Sequence, residues 1–190
     1  MEIQQNSDDI VTNPPRKVEL IDDIVYMSPA PNLKHSKLMF NITLAFEMYL
    51  RGKKCKVYQV PNVFYDQDKP KNHFIPDIAV MCEPDKIKPL GYYGVPNLVV
   101  EILSSNRKDD LVIKLKLYER IGVGEYWIVD PLNDTINQYV LIDSRYELAE
   151  VYRNLTEEEL EENEREQYKT IITPNLFKDL NIKVSDIFEV

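Results

Sequence analysis

The amino-acid sequence predicts an α/β sandwich built on a central mixed β-sheet flanked by helices, and three observations lead there. Apolar residues recur at helical spacing between Leu33 and Leu50, a period that stops at Arg51-Gly52 and gives way to short strand-like runs. Two of those runs, I-A-V-M-C at 78–82 and L-V-V-E-I-L at 98–103, are almost continuously apolar, as expected for strands covered on both faces. A second helical segment at 109–121 is followed at once by another such run, Y-W-I-V-D at 126–130, and this order of helix and strand lays helices against a sheet.

Residues 1–15 are polar, end in Pro14-Pro15 and predict a loose arm ahead of the fold. In K-V-E-L-I-D-D-I-V-Y-M at 17–27 two short apolar runs flank Asp22-Asp23, the pattern of an N-terminal hairpin. The helix that follows carries Leu38, Met39, Ile42, Ala45, Phe46 and Tyr49 at helical spacing. C-K-V-Y-Q-V at 55–60 and N-V-F-Y-D at 62–66 read as strands. Gly122 stops the second helix, and Pro131 closes the strand after it. T-I-N-Q-Y-V-L at 135–141 and Y-E-L-A-E-V-Y at 146–152 read as a hairpin, a C-terminal β extension of the sheet; Y-K-T-I-I at 168–172 and a short helix at 184–190 follow. One domain over 1–190 is expected, with the arm at 1–15 and an acidic appendage at 153–190.

The 190 residues, 44% of them hydrophobic, suffice for a real core. Their 23 Lys plus Arg against 32 Asp plus Glu give a formal charge of −9, which excludes a uniformly basic nucleic-acid binder. The charge is uneven, because T-E-E-E-L-E-E-N-E-R-E-Q at 156–167 holds seven Glu and one Arg, six of the nine net negative charges. Residues 51–76 are the reverse, a local +4 from Arg51, Lys53, Lys54, Lys56, Lys69 and Lys71 against Asp66 and Asp68, with Tyr58, Phe64, Tyr65 and Phe74 interleaved. Such a flank suits a nucleic-acid backbone, and it equally suits a solvated hairpin whose aromatics turn into the core. Only Cys55 and Cys82 are present and the first ten residues lack the look of a secretory signal, so reduced thiols in a cytoplasmic protein are expected. No apolar run approaches the roughly 18 residues of a membrane span.

Two acids stand out by context. Asp77 follows Pro76 at the entrance of I-A-V-M-C, and Glu101 is the one charge inside N-L-V-V-E-I-L. A carboxylate in a buried strand is costly unless it is ion-paired, hydrogen-bonded or bound to a cation. From neighbouring strands the two acids can meet, and with a main-chain carbonyl they make an all-oxygen site suited to Mg²⁺ or Mn²⁺. A strand-starting Asp and a Glu paired with some Lys or Arg account for the same pattern. On the second helix, at about 100° per residue with Leu111 set to zero, Leu115, Tyr118 and Ile121 fall at about 40°, 340° and 280°. Lys114 falls inside that apolar stripe at about 300°, whereas Lys116 falls opposite at about 140°. An inward lysine just after the Glu101 strand can reach a carboxylate cluster; taken alone, it also suits a lysine whose stem packs while its head reaches water. The three together are the equipment of phosphodiester hydrolysis, in which metal-activated water attacks and positive charges stabilise the pentavalent state.

These residues lie within motifs that resemble a known family. P-D-I-A-V at 76–80, G-V-P-N-L-V-V-E-I-L-S at 94–104, K-L-K-L-Y-E-R-I-G-V at 114–123 and E-Y-W-I-V-D-P at 125–131, preceded by E-L-I-D-D-I-V-Y-M-S-P-A-P at 19–31 and His35, look like the Uma-two family of restriction-endonuclease-like proteins in the PD-(D/E)XK nuclease superfamily. The resemblance runs over residues 17–141. It implies a restriction-endonuclease-like sandwich, a hydrolase acting on phosphodiester bonds, Mg²⁺ or Mn²⁺ as cofactor and DNA as substrate, and it leaves room for a homodimer. It implies Asp77 and Glu101 as metal ligands, helped by the carbonyl of Ile102. The position two after the acid is Leu103, so the resemblance implies Lys114 as a migrated catalytic lysine, oriented by Asp110 one turn earlier. Asp110 equally suits the first turn of a helix, where a carboxylate favours the dipole. Glu19 and His35 match motif positions at the mouth of the site, although a lone His near a helix start is more often structural.

A different class of function uses the same fold without catalysis, as a dimeric interaction or nucleic-acid-binding module built on the region of Trp127, a residue that otherwise reads as core. His35, His73, Cys55 and Cys82 show no zinc-site spacing, and the chain has no Gly-rich phosphate loop and no G-x-S-x-G elbow.

Overall fold

The computed structural model describes residues 17–28, 30–104, 109–156, 158–160 and 168–189, without the side chains of 109–111. The expected arm at 1–15 and most of the Glu-rich run lie outside the described residues. In chain order the elements are β1 (Lys17–Ile21), β2 (Ile24–Ser28), α1 (Leu33–Leu50), β3 (Lys56–Gln59), β4 (Val63–Phe64), β5 (His73–Phe74), β6 (Ile78–Met81), β7 (Ile87–Lys88), β8 (Gly91–Tyr93) and β9 (Leu98–Ile102). A π-helical turn (Asp109–Lys114) then runs into α2 (Leu115–Ile121), followed by β10 (Glu125–Asp130), β11 (Thr135–Ile142), β12 (Arg145–Arg153), β13 (Ile171–Ile172), β14 (Ile182–Lys183) and α3 (Val184–Phe188).

Local chemistry accounts for the punctuation. Asp22 and Asp23 turn the β1–β2 hairpin with φ of 51° and 65°, the doubly left-handed turn that matches strand twist. Arg120 of α2 secures that turn from outside, with its guanidinium 2.8 and 2.9 Å from the two Asp22 oxygens. The Asn32 side chain caps α1 by accepting the His35 N–H at 2.8 Å. Gly122, at φ 87°, ends α2 and donates its N–H to the Tyr118 carbonyl.

The central sheet runs β12-β11-β10-β9-β6-β3 and is mixed, because β9 and β10 are parallel while their neighbours are antiparallel. Alternation along the buried strands divides its two faces. Ile78, Val80, Leu98, Val100, Ile102, Trp127 and Val129 face α1 through Leu38, Ile42, Phe46 and Leu50. Ala79, Met81, Val99, Leu103, Tyr126 and Ile128 face the other way, toward α2 and a second sheet of order β2-β1-β5-β4-β8-β7. That second sheet is the main departure from the sequence reading: the N-terminal hairpin and the 62–66 run join it, through strands of two or three residues too short to show a period. The helix expected at 109–121 likewise opens with a π-helical turn before its α-helical part.

Three further expectations meet different outcomes. Cys55 and Cys82, expected as free thiols, form a disulfide; they flank the Lys56↔Met81 pair of the β3–β6 ladder, so strand register sets them opposite each other. Trp127, weighed as a surface for a dimer, is fully buried against Phe46 at 5.6 Å, with its indole N–H on Glu125 at 2.8 Å, and so offers nothing to a partner. Beyond the acidic run, Ile172, Leu180, Ile182, Val184, Ile187 and Phe188 are core residues on the α1 side of the sheet.

Two glycines test the backbone argument. A Cβ at Gly122 would meet no atom within 4 Å, so Gly122→Ala exposes the left-handed penalty alone and should cost about 1 kcal/mol. At Gly91 a Cβ would lie 2.4 Å from the carbonyl oxygen of Asn62, the residue just before β4, so Gly91→Ala should cost more than Gly122→Ala in urea unfolding.

Candidate active site

β6 and β9 are antiparallel with Ile78 opposite Val100; one step further, Asp77 comes opposite Glu101, on the face of Ala79, Val99 and Leu103. Both acids are only 2% exposed. Like charges set opposite each other across a ladder repel, so the pair persists only if each carboxylate has its own donors.

Asp77 is held from three elements. Lys17 of β1 donates to Oδ1, His35 of α1 places Nε2 3.0 Å from Oδ2, and the Ile102 N–H donates to the same oxygen at 2.8 Å. Since a carboxylate only accepts, Nε2 of His35 carries a proton; its Nδ1 has no hydrogen-bond partner among the described residues. Glu101 Oε1 accepts from Lys114 Nζ at 3.0 Å and from the Tyr118 hydroxyl at 2.6 Å. Lys114 also lies 3.3 Å from Glu19, whose carboxylate accepts the Ile75 N–H at 2.7 Å.

The periods of the elements explain the convergence. Lys17 and Glu19 share one face of β1 with buried Ile21, the face turned toward the central sheet. Lys114 and Tyr118 are four residues apart and so share a face where the π-helical turn passes into α2. Of the residues singled out in the sequence, Asp77, Glu101, Ile102, Lys114, Glu19 and His35 meet at one point. The side chain of Asp110 lies outside the described residues. Lys17 and Tyr118 are additions: alternation with Glu19 is a signal for the first, and spacing from Lys114 for the second.

Burial by itself would raise the Asp77 carboxyl, but the charge of Lys17 and the contact with His35 outweigh it and hold Asp77 well below the usual carboxylate range. Burial pushes the Tyr118 hydroxyl well above its ordinary value, and the charges of Glu101 and Glu19 add to this, so it stays a proton donor to Glu101.

The cluster forms one wall of a cleft of about 320 Å³, with Asp77, Glu101, Lys17 and Lys114 on one side and Ser36 and Met39 of α1 on another. Among the described residues no group of three or more His, Cys, Asp or Glu side chains is arranged to hold a metal ion. A divalent cation here would take Asp77, Glu101 and a main-chain oxygen, and would complete its shell with water, a donor set that suits Mg²⁺ or Mn²⁺. The Ile102 carbonyl fits that role, since N–H and C=O of one strand residue point to the same edge and its N–H points at Asp77.

The basic flank read at 51–76 is divided by the fold. Lys53 stacks on the Tyr49 ring near Asp179, Lys69 pairs with Asp23 of the hairpin turn, and Phe74 is buried against Tyr118.

The mixed central sheet, the second sheet and the few helices make a mixed α/β fold of the class expected from the sequence, and it sets a buried Asp and Glu face to face with a lysine on the Glu. The chain belongs to the Uma2 family, described as "Putative restriction endonuclease", whose profile matches residues 4–180. Its structure is similar to the crystal structure of a "putative nuclease belonging to DUF820" from Anabaena variabilis ATCC 29413, with a TM-score of 0.68 and 17% identity over 95% of this chain and 96% of that one. No curated protein matches the sequence. No helix among the described residues is long and apolar enough to cross a membrane.

Removing one partner should be costly here. Lys114→Met takes the ammonium from two buried carboxylates, Glu101 and Glu19, and should lower unfolding stability by about 3–5 kcal/mol in urea titrations. Asp77 gives a pH signature. Its folded value is depressed, so its stabilisation is complete above the unfolded value of about 4 and is lost as pH falls toward the folded one. Asp77→Asn should therefore flatten the loss of stability below about pH 4 that the unaltered protein shows in denaturant unfolding.

Proposed function

We propose that the chain is a metal-dependent endonuclease that hydrolyses phosphodiester bonds in DNA, with Asp77, Glu101 and the Ile102 carbonyl as ligands of Mg²⁺ or Mn²⁺ and Lys114 as the catalytic lysine. The observation that carries this reading is the pair of buried carboxylates facing each other across β6 and β9, with an ammonium 3.0 Å from one of them. A divalent ion held there would supply Lewis-acid polarisation of a phosphoryl oxygen and a bound water of lowered pKa. Asp77 is ionised at any physiological pH and presents a hard oxygen to the cleft. Tyr118 fixes the Glu101 carboxylate, and Glu19 holds Lys114 from its far side. Lys114 is then placed to orient water or to stabilise charge that develops on the phosphoryl group. His35 acts as a positioning residue through Asp77. The family's description supports DNA as the polymer and an internal cut.

The closed ion pairs favour one other reading, a non-catalytic binding module in which the same charges only hold the two sheets together. Plasmid DNA, oligonucleotide DNA and RNA incubated with Mg²⁺ or Mn²⁺ separate the two. Cleavage by the unaltered protein should be abolished by Asp77→Asn and by Glu101→Gln, with near-UV circular dichroism preserved. An unaltered protein that leaves every polymer intact overturns the nuclease reading.

A further inference from the structure

A divalent cation entering this site meets an ammonium already in place. Among the described residues three carboxylates meet there, Glu19, Asp77 and Glu101, each no more than 2% exposed, with two ammonium groups, Lys17 and Lys114. With Lys17 still seated on Asp77, an ammonium and a divalent cation would share one buried carboxylate, and like charges brought that close in such surroundings are strongly unfavourable.

Geometry points the same way. Oδ2 of Asp77 already accepts from His35 and from the Ile102 N–H, so Oδ1 is the oxygen that an incoming cation needs, and Lys17 is on it. Lys17 is also the lysine with somewhere to go. It is the first residue of β1, its side chain is twice as exposed as that of Lys114, 14% against 7%, and it lines the cleft beside Ser28, Pro31 and Ser36.

We propose that Lys17 is a tethered counter-ion: its ammonium yields Asp77 to the divalent cation and swings outward to meet a phosphate of the bound polymer. The inference rests on the metal-dependent reading of the same site. It makes metal and polymer binding mutually reinforcing, because the ammonium that one displaces is the ammonium that the other recruits.

Lysine acylation read by mass spectrometry tests this on the unaltered protein, so the outcome does not depend on a variant folding. Saturating Mn²⁺ should raise labelling of Lys17 several-fold and leave Lys114 protected. In calorimetry, Lys17→Met should bind Mn²⁺ roughly fivefold or more tightly than the unaltered protein, since the competing ammonium is gone. Unchanged Lys17 labelling at saturating Mn²⁺, or Mn²⁺ binding by Lys17→Met that is no tighter, overturns the counter-ion role and leaves the metal site standing. Mn²⁺ uptake by the unaltered protein no greater than that of Asp77→Asn overturns the metal reading itself, and the counter-ion role with it.

Discussion

Two carboxylates buried opposite each other on adjacent antiparallel strands set the terms for the rest of the structure. Asp77 and Glu101 are each 2% exposed, and neither can stay ionised beside the other without cations brought in from elsewhere. The central sheet cannot provide them, because its neighbouring positions are filled by Ala79, Val99, Leu103 and Ile128. They come from two other directions, Lys17 from the second sheet and Lys114 from the entry to α2, and His35 adds a hydrogen bond to Asp77 from the first turn of α1. The relative placement of the layers is thus fixed by charge as well as by apolar burial. A slip of one residue in β1 would turn Lys17 and Glu19 to solvent together, leaving Asp77 and Lys114 each short of a partner.

Tyr118 ties the ionic cluster to the apolar one. Its ring lies 5.0 Å from both Phe74 and Tyr126, inside the core between the two sheets, while its hydroxyl reaches Glu101 at 2.6 Å. A phenylalanine there would keep the packing and lose the donor. The adjoining π-helical turn ends at Lys114, and π-helical turns inside helices recur at functional sites because they displace side chains from the regular helical path. From there α2 runs regularly to Gly122, carrying Arg120 to the hairpin turn that leads back into β1. The element that delivers the lysine to Glu101 also steadies the strand that delivers the lysine to Asp77.

What could be read from the sequence followed strength of pattern. The 18 residues of α1 and the apolar runs of β6, β9 and β10 have many residues and a clear period, and they stand where they were expected. Asp77 and Glu101 were visible for the opposite reason, as charges that violate an apolar pattern. β5, β7 and β8 have two or three residues each and no period to detect, so the second sheet was hidden, and with it the direction from which Lys17 arrives. Lys17 shares a face of β1 with Glu19, but which layer that face meets is set only by the second sheet. The disulfide was missed because Cys55 and Cys82 are 27 residues apart and only the register of β3 against β6 makes them neighbours.

The formal charge of −9 is a statement about the whole chain, whereas a phosphate responds to what lies within a Debye length, about 8 Å at physiological ionic strength. Six of those charges fall in 156–167, and two of the basic residues at 51–76, Lys53 and Lys69, are committed to partners of their own. Among the described residues, a phosphodiester entering the cleft would meet Lys17 and Lys114 against three buried carboxylates. On the proposed metal-dependent reading, a divalent cation on Asp77 and Glu101 would tip that set toward a polyanion, and Lys17, no longer needed on Asp77, would be placed to meet a phosphate.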